Sequence, residues 1–296
     1  MSYILKTEDL GKTYGNTLIL NGINLEISQG SALGIVGRNG VGKTTLIRCI
    51  TGTIEKSSGF IYIKEEINKD FYKHVGVSLD LDWFYPNFTG KENLEYFMSL
   101  KGTTSHNQIN NTLQKLGFDS AILNKPYKTY SLGTKKILSV VLALTNNPEI
   151  VILDEPFNGL DPIAEELLAD YLIHEKSKGT GILISSHELD RITEICDEIG
   201  FLNKGFYTQK SVLDISKKTK MYIKLKVSNL TKSVMTLEND LRIKNYLVAE
   251  DNTLLIYDFS KEIEEILNRL KNNNIKVEFI GNCHGKLEDV ILEMIN

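Results

Sequence analysis

Three apolar runs punctuate the first two-thirds of the chain: Gly30–Val36, Glu149–Leu153 and Gly181–Ser185. Runs of that length with so few polar residues suit strands covered on both faces. The first runs into a glycine loop, after which Lys43 to Cys49 reads as a helix start. Between the second and third, Ala164 to Lys176 places Leu168, Tyr171 and Leu172 on one helical face. Strand–helix–strand order with buried strands predicts a parallel α/β sheet. Ile23 to Ile27 alternates with period two, which adds an antiparallel β portion.

The pattern changes toward the C-terminus. Met221, Ile223, Leu225 and Val227 alternate with Tyr222, Lys224 and Lys226, a half-buried strand. Ile263, Ile266, Leu267 and Leu270 share one helical stripe; Ile275, Val277 and Phe279 alternate again; Leu287, Val290, Ile291 and Met294 form a last stripe. All five prolines fall between Pro86 and Pro162. The shift in composition predicts a core domain over residues 1–211 and a small α+β domain over residues 212–296.

Charge narrows the function classes. The 296 residues carry 34 basic and 38 acidic side chains, net −4, with an isoelectric point near 5.8. That balance argues against a nucleic-acid partner. No apolar run approaches the roughly 18 residues needed to cross a bilayer. The N-terminal residues lack a basic segment followed by an apolar one, so no secretory signal is expected. Cys49, Cys196 and Cys283 lie far apart and form neither a CxxC pair nor a disulfide framework, which fits a reducing cytosol.

The glycine loop carries the first chemistry. Gly37-Arg38-Asn39-Gly40-Val41-Gly42-Lys43-Thr44 satisfies G-x-x-x-x-G-K-[ST] at every fixed position. Glycines let successive backbone N–H groups point at phosphate oxygens, and the following helix adds its N-terminal dipole. Lys43 is placed to reach the β- and γ-phosphates, and the Thr44 hydroxyl to ligate Mg²⁺. A chance turn is the competing reading, but the loop stands between an apolar strand and a helix. The second apolar run ends in Asp154-Glu155. Beside a phosphate loop, Asp154 suits Mg²⁺, and Glu155 suits a general base that polarises water.

The residues between and after these motifs resemble the ATP-binding subunits of ABC transporters. Tyr130-Ser131-Leu132-Gly133-Thr134-Lys135 stands where that family has its signature, Asn158-Gly159-Leu160-Asp161 looks like its D-loop, and His187 after Ser185-Ser186 looks like its switch histidine. Tyr14 looks like the aromatic that stacks on adenine. Ser131 is also a plausible N-cap for the stretch containing Ile137, Leu138, Val141 and Leu142. The resemblance covers roughly residues 2–211. It implies a P-loop NTPase parallel-sheet core with an antiparallel β portion and a helical subdomain at about residues 85–150. The nucleotide-binding set it implies is Tyr14, Gly37, Asn39, Gly40, Gly42, Lys43, Thr44, Thr45, Ser131, Gly133 and Asp161. Glu155, His187 and Asp80 are implied in catalysis, and Thr44, Asp154 and Asp80 at the metal.

Departures from the pattern are informative. Leu132 and Thr134 replace a glycine and the glutamine of the signature, Asn158 replaces serine in the D-loop, and an ungapped count puts Asp80, with Asp82 as the alternative, where the family has its Q-loop glutamine. These features, and the stretch Tyr85 to Leu94, look closest to bacterial peptide-export and lantibiotic-immunity ATPases. The implied protein binds ATP and Mg²⁺ and hydrolyses ATP. It dimerises with itself or a homologous subunit and docks on a separate transmembrane permease at the cytoplasmic face of the plasma membrane. Asp82-Trp83-Phe84-Tyr85 is the candidate lining for a permease helix, with packing inside the helical subdomain as the competing role. Two other classes stand against this one. A DNA-repair ATPase would carry long coiled coils between Lys43 and Asp154, which are only 111 positions apart, and a translation factor would carry two cores. A module that holds ATP without turnover would have no use for Glu155, Asp161 and His187 together.

Overall fold

The computed structural model describes residues 3–64, 71–79, 83–102, 106–187, 189–212, 221–249, 252–257 and 260–284. These fall into two compact units, 3–212 and 221–284.

The first unit opens with two long antiparallel strands, β1 (Tyr3–Tyr14) and β2 (Thr17–Ser28), joined by β3 (Ala32–Val36) to helix α1 (Lys43–Ile50). Strand β4 (Ser58–Ile63), the short α2 (Phe71–His74) and β5 (Val75–Ser78) follow. Helices α3 (Gly90–Leu100) and α4 (His106–Lys115), two 3₁₀ turns at Ser120–Asn124 and Tyr127–Thr129, and α5 (Leu132–Leu144) occupy the middle of the chain. Then β6 (Ile150–Asp154), α6 (Pro162–Ser177), β7 (Gly181–Ser185), α7 (Leu189–Ile195), β8 (Glu198–Asn203) and β9 (Phe206–Ser211) complete the unit.

Six strands make the central sheet in the order β5-β6-β7-β3-β8-β9, and β2-β1-β4 make a separate antiparallel sheet. Strands β5, β6, β7, β3 and β8 are parallel, and β9 turns back antiparallel on β8. Every residue of β3, β6 and β7 is buried, which explains why their sequences carry no alternation. One core joins both sheets: Ile4, Leu5, Leu20, Ile23 and Ile27 from the antiparallel sheet pack with Leu33, Ile35, Ile150, Ile152 and Leu183 from the parallel one.

Caps set the helix starts. Thr89 caps α3 in a capping box with Glu92, whose carboxylate returns to the Thr89 N–H at 2.7 Å. Such a cap contributes about 1 kcal/mol. Ser131 caps α5 and Asp161 caps α6, where Pro162 occupies the first turn.

The second unit is a four-stranded antiparallel sheet in the order β11-β12-β10-β13, from β10 (Met221–Val227), β11 (Tyr246–Ala249), β12 (Thr253–Ile256) and β13 (Val277–His284). Helix α8 (Leu230–Met235), continued by a π-helical turn at Thr236–Asp240, and α9 (Ile263–Asn272) supply the other face of its core. Ile223, Leu225, Val227, Leu254, Ile256, Ile266 and Leu270 are buried there. The helical stripe expected at Leu287–Met294 lies outside the described residues.

Candidate nucleotide site

The loop after β3 carries the conformations its glycines foretell. Gly40 has φ 79° and Gly42 φ 114°, backbone that side-chain-bearing residues rarely adopt. Gly42 is the N-cap of α1 and offers no side-chain cap, so the first N–H groups of that helix are left for an anion. Gly37 is buried; Asn39 and Gly40 are exposed; Thr44 and Thr45, in the first turn of α1, are half-buried.

Lys43 lies within this cradle, 6% exposed. Its ammonium donates to the Gly37 carbonyl at 2.9 Å and stands 3.3 Å from Glu155 Oε1. The other Glu155 oxygen, Oε2, accepts from the His187 backbone N–H at 3.2 Å and lies 2.8 Å from His187 Nδ1. Three side chains expected from separate motifs therefore meet: Lys43 after β3, Glu155 after β6 and His187 after β7. They meet because β6 and β7 are neighbours and β7 adjoins β3, so the C-terminal ends of the three strands line one edge.

Glu155 has φ 47°, in the left-handed region. For a residue with a side chain this costs on the order of 1 kcal/mol, and it turns the carboxylate back toward Lys43. Its N–H donates to both the carbonyl and the Oγ of Ser185, each at 3.1 Å.

Asp154 is fully buried. The Ser185 hydroxyl donates to its Oδ1 at 2.5 Å, while Oδ2 is buried with no hydrogen-bond partner. A buried carboxylate oxygen without a donor is costly, and a cation is the group that would satisfy it. Among the described residues no group of three or more His, Cys, Asp or Glu could hold a metal alone. A cation here would take phosphate oxygens and the Thr44 hydroxyl beside Asp154, the mixed shell Mg²⁺ prefers.

The other expected residues fall in two places. Ser131 Oγ accepts from the Thr134 N–H at 3.2 Å, so its capping role is met within the chain. Gly133 touches the turn at Gly159: a Cβ on Gly133 would collide with the Gly159 carbonyl. Asp161 Oδ1 accepts from the N–H groups of Ile163 and Ala164 at 3.1 and 3.0 Å. The signature and D-loop stretches thus form one surface, flanked by the exposed side chains Leu132 and Ile163. Tyr14 ends β1 opposite Thr17, 51% exposed, with the Lys12 ammonium 4.8 Å from its ring centre. Asp80 and its alternative Asp82 lie outside the described residues.

The aromatic stretch after them divides. Phe84 is buried against Phe97 and Tyr127, with ring centres 5.4 and 5.0 Å apart. Trp83, 50% exposed, lines a cavity of about 500 Å³ together with Val77, Leu79, Leu100 and Leu142. Two contributors to the site escaped the sequence reading. Ser185 ends an apolar run, a place where a lone hydroxyl is a recognisable signal. Lys136 falls on the buried stripe of α5 beside Gly133, Ile137 and Val140, and a cation on an apolar stripe is likewise a signal.

A model of the ABC transporter family matches residues 20–158. The bacitracin transport ATP-binding protein BcrA of Enterococcus faecalis is 34% identical over 100% of this chain and 97% of its own length. This chain belongs to the ABC transporter ATP-binding family. The lantibiotic transport ATP-binding protein SrtF of Streptococcus pyogenes is 36% identical over 68% of this chain and 88% of its own length. A solved ATP-binding subunit of an ABC transporter superposes with TM-score 0.66 at 26% identity, over 73% of this chain and 92% of that one. A dimeric cassette solved with ADP and Pi after hydrolysis shares the fold, with TM-score 0.64 at 21% identity over 70% of this chain and 98% of that one. As a member of this family the chain is an ATPase whose hydrolysis is coupled to transport. No helix among the described residues is long and apolar enough to cross a membrane. ABC ATP-binding subunits work with transmembrane partners, and this ABC ATPase works the same way.

Proposed function

We propose that this ABC ATPase powers export of amphipathic antimicrobial peptides of the bacitracin or lantibiotic type through a separate permease. The observation that carries the reading is the match to a bacitracin transport subunit along the whole chain, the second unit included. In this reading the loop from Gly37 to Thr44 cradles the phosphates, and Tyr14 stacks on the adenine with the ring face that Lys12 leaves open. Asp154 and Thr44 hold Mg²⁺, which when bound neutralises phosphate charge. Arriving phosphate replaces Glu155 as the partner of Lys43. Freed from that ion pair, Glu155 takes the proton of the attacking water, and His187 steadies the γ-phosphate as it departs. Ser131, Gly133 and Asp161 present their surface to the nucleotide held by a second subunit, head to tail, so that each site is completed by its partner. The groove rimmed by Trp83 receives a short amphipathic helix of the permease.

The test is a susceptibility assay. The chain and its permease are expressed together in a peptide-sensitive Gram-positive host, and bacitracin and a lantibiotic are titrated. Resistance should rise several-fold and vanish with Lys43→Ala. Unchanged susceptibility to both, with an assembled and ATP-hydrolysing complex, would exclude peptide export.

A further inference from the structure

Helix α5 begins at the signature residues and lies on the central sheet, where Ser139 Oγ is 2.8 Å from Ser78 Oγ. Lys136, one turn beyond Gly133 on the same helix, is 5% exposed. A buried ammonium is costly unless it is hydrogen-bonded, and an apolar residue would fit the stripe better. Lys136 Nζ donates to the backbone carbonyl of Asp154 at 3.2 Å. That carbonyl belongs to the peptide joining Asp154 to Glu155. The N–H of the same peptide donates to Ser185 from the opposite side. One rigid peptide plane is therefore held at both ends, and the chain leaves it at Glu155 in the left-handed conformation.

We propose that Lys136 is a positioning residue for ATP hydrolysis: by holding the Asp154 carbonyl it fixes the peptide plane from which the Glu155 carboxylate is aimed. This rests on the reading of Glu155 as the base. Without the bond the plane is held only at its N–H end, by Ser185, so it can tilt about that anchor; Glu155 then relaxes toward negative φ, and its carboxylate swings away from the water it must deprotonate. Because Lys136 shares a helix with Ser131 and Gly133, the surface offered to a second subunit and the aim of Glu155 move as one body. The Lys136 ammonium is buried and bonded to the Asp154 carbonyl, so the bond is expected to act on the chemical step and not on binding.

The experiment uses the full-length chain. Lys136→Met keeps the length and apolar volume of the side chain and removes the donor; Lys136→Arg keeps a charged donor. MgATP turnover and ADP affinity are measured for both, for Glu155→Gln, and for the double variant Lys136→Met with Glu155→Gln. Lys136→Met should lower kcat about tenfold with KM and ADP affinity within about twofold, and Lys136→Arg should recover most of the loss. The double variant should be no slower than Glu155→Gln alone, because Lys136 acts through Glu155. Wild-type kcat in Lys136→Met, a loss confined to KM, or a double variant slower by the product of the two effects would each overturn the proposal. If Glu155→Gln alone turns over near the wild-type rate, the base assignment fails on its own measurement and the proposal fails with it. Should Lys136→Met not fold, Lys136→Gln, whose amide falls short of the carbonyl, is judged by the same criteria.

Discussion

Replacing Glu155 by glutamine should tighten nucleotide binding while it slows hydrolysis. Glu155 and Lys43 form an ion pair at 3.3 Å, with only 14% and 6% of the side chains exposed. At an effective dielectric of about 20 the gross attraction is about 5 kcal/mol. A nucleotide phosphate must displace that carboxylate before it can take the ammonium. Glutamine keeps an acceptor at Oε1 but no charge, and desolvation offsets much of the gross figure, so the competition should ease by about 1–2 kcal/mol. That is about a tenfold gain in affinity. ADP is the appropriate probe, since it is not turned over and lacks the phosphate that two subunits would share. Titration of both proteins with a fluorescent ADP analogue at low protein concentration reads the difference, and phosphate release should fall by about 10²-fold or more. Equal or weaker ADP affinity in the variant would refute the competition, and near-normal turnover would remove Glu155 from the base role.

Further outcomes are expected at neighbouring positions. Lys43→Ala should weaken ADP binding by about 10²-fold, through loss of the phosphate partner; unchanged affinity in the same titration would move the phosphate site elsewhere. Asp154→Asn should abolish most of the Mg²⁺ dependence of nucleotide affinity, because Oδ2 is the buried oxygen without a donor; an unaltered ratio of affinities with and without chelator would show that the cation lies elsewhere. Gly133→Ala should lower stability by about 1–3 kcal/mol as its Cβ meets the Gly159 carbonyl; an unchanged melting temperature would mean the turn yields freely. Trp83→Ala should reduce co-purification of the permease several-fold without shifting thermal unfolding; full recovery of the complex would take the groove out of docking.

The elements most legible in the sequence are those whose environment is uniform. Strands β3, β6 and β7 announce themselves because burial on both faces excludes polar residues from all of them. Ile23 to Ile27 marks only part of β2, which extends over Thr17–Ser28; the rest is irregular because the β1–β2 pairing shifts register four times. Strands β4 and β9 pass unread, for their burial alternates between half-buried and exposed and leaves little apolar contrast. In the site, local motifs foretell Gly42, Lys43 and Asp154. The contact between Lys43 and Glu155 spans over a hundred residues and depends on strand order, which no spacing in the sequence reveals. Ser185 and Lys136 bond to groups of Asp154 and Glu155 that are distant in sequence, so no motif of their own records them.

The apolar uniformity of β6 and β7 has a cost for alignment. Two strands apolar on both sides stay apolar on both sides after a slip of one residue, so hydrophobic pattern alone, unlike that of a half-exposed strand, does not mark their register. The polar contacts at one end of the pair do discriminate: the Ser185 hydroxyl on the Asp154 carboxylate, and the Glu155 N–H on Ser185, exist in only one alignment. The residues assembled for chemistry are therefore also the ones that mark this alignment in the native sheet. A variant such as Asp154→Ala would lose more than a reaction step; part of the population should emerge from refolding mispaired, and Ser185→Ala, chemically milder, should share that defect.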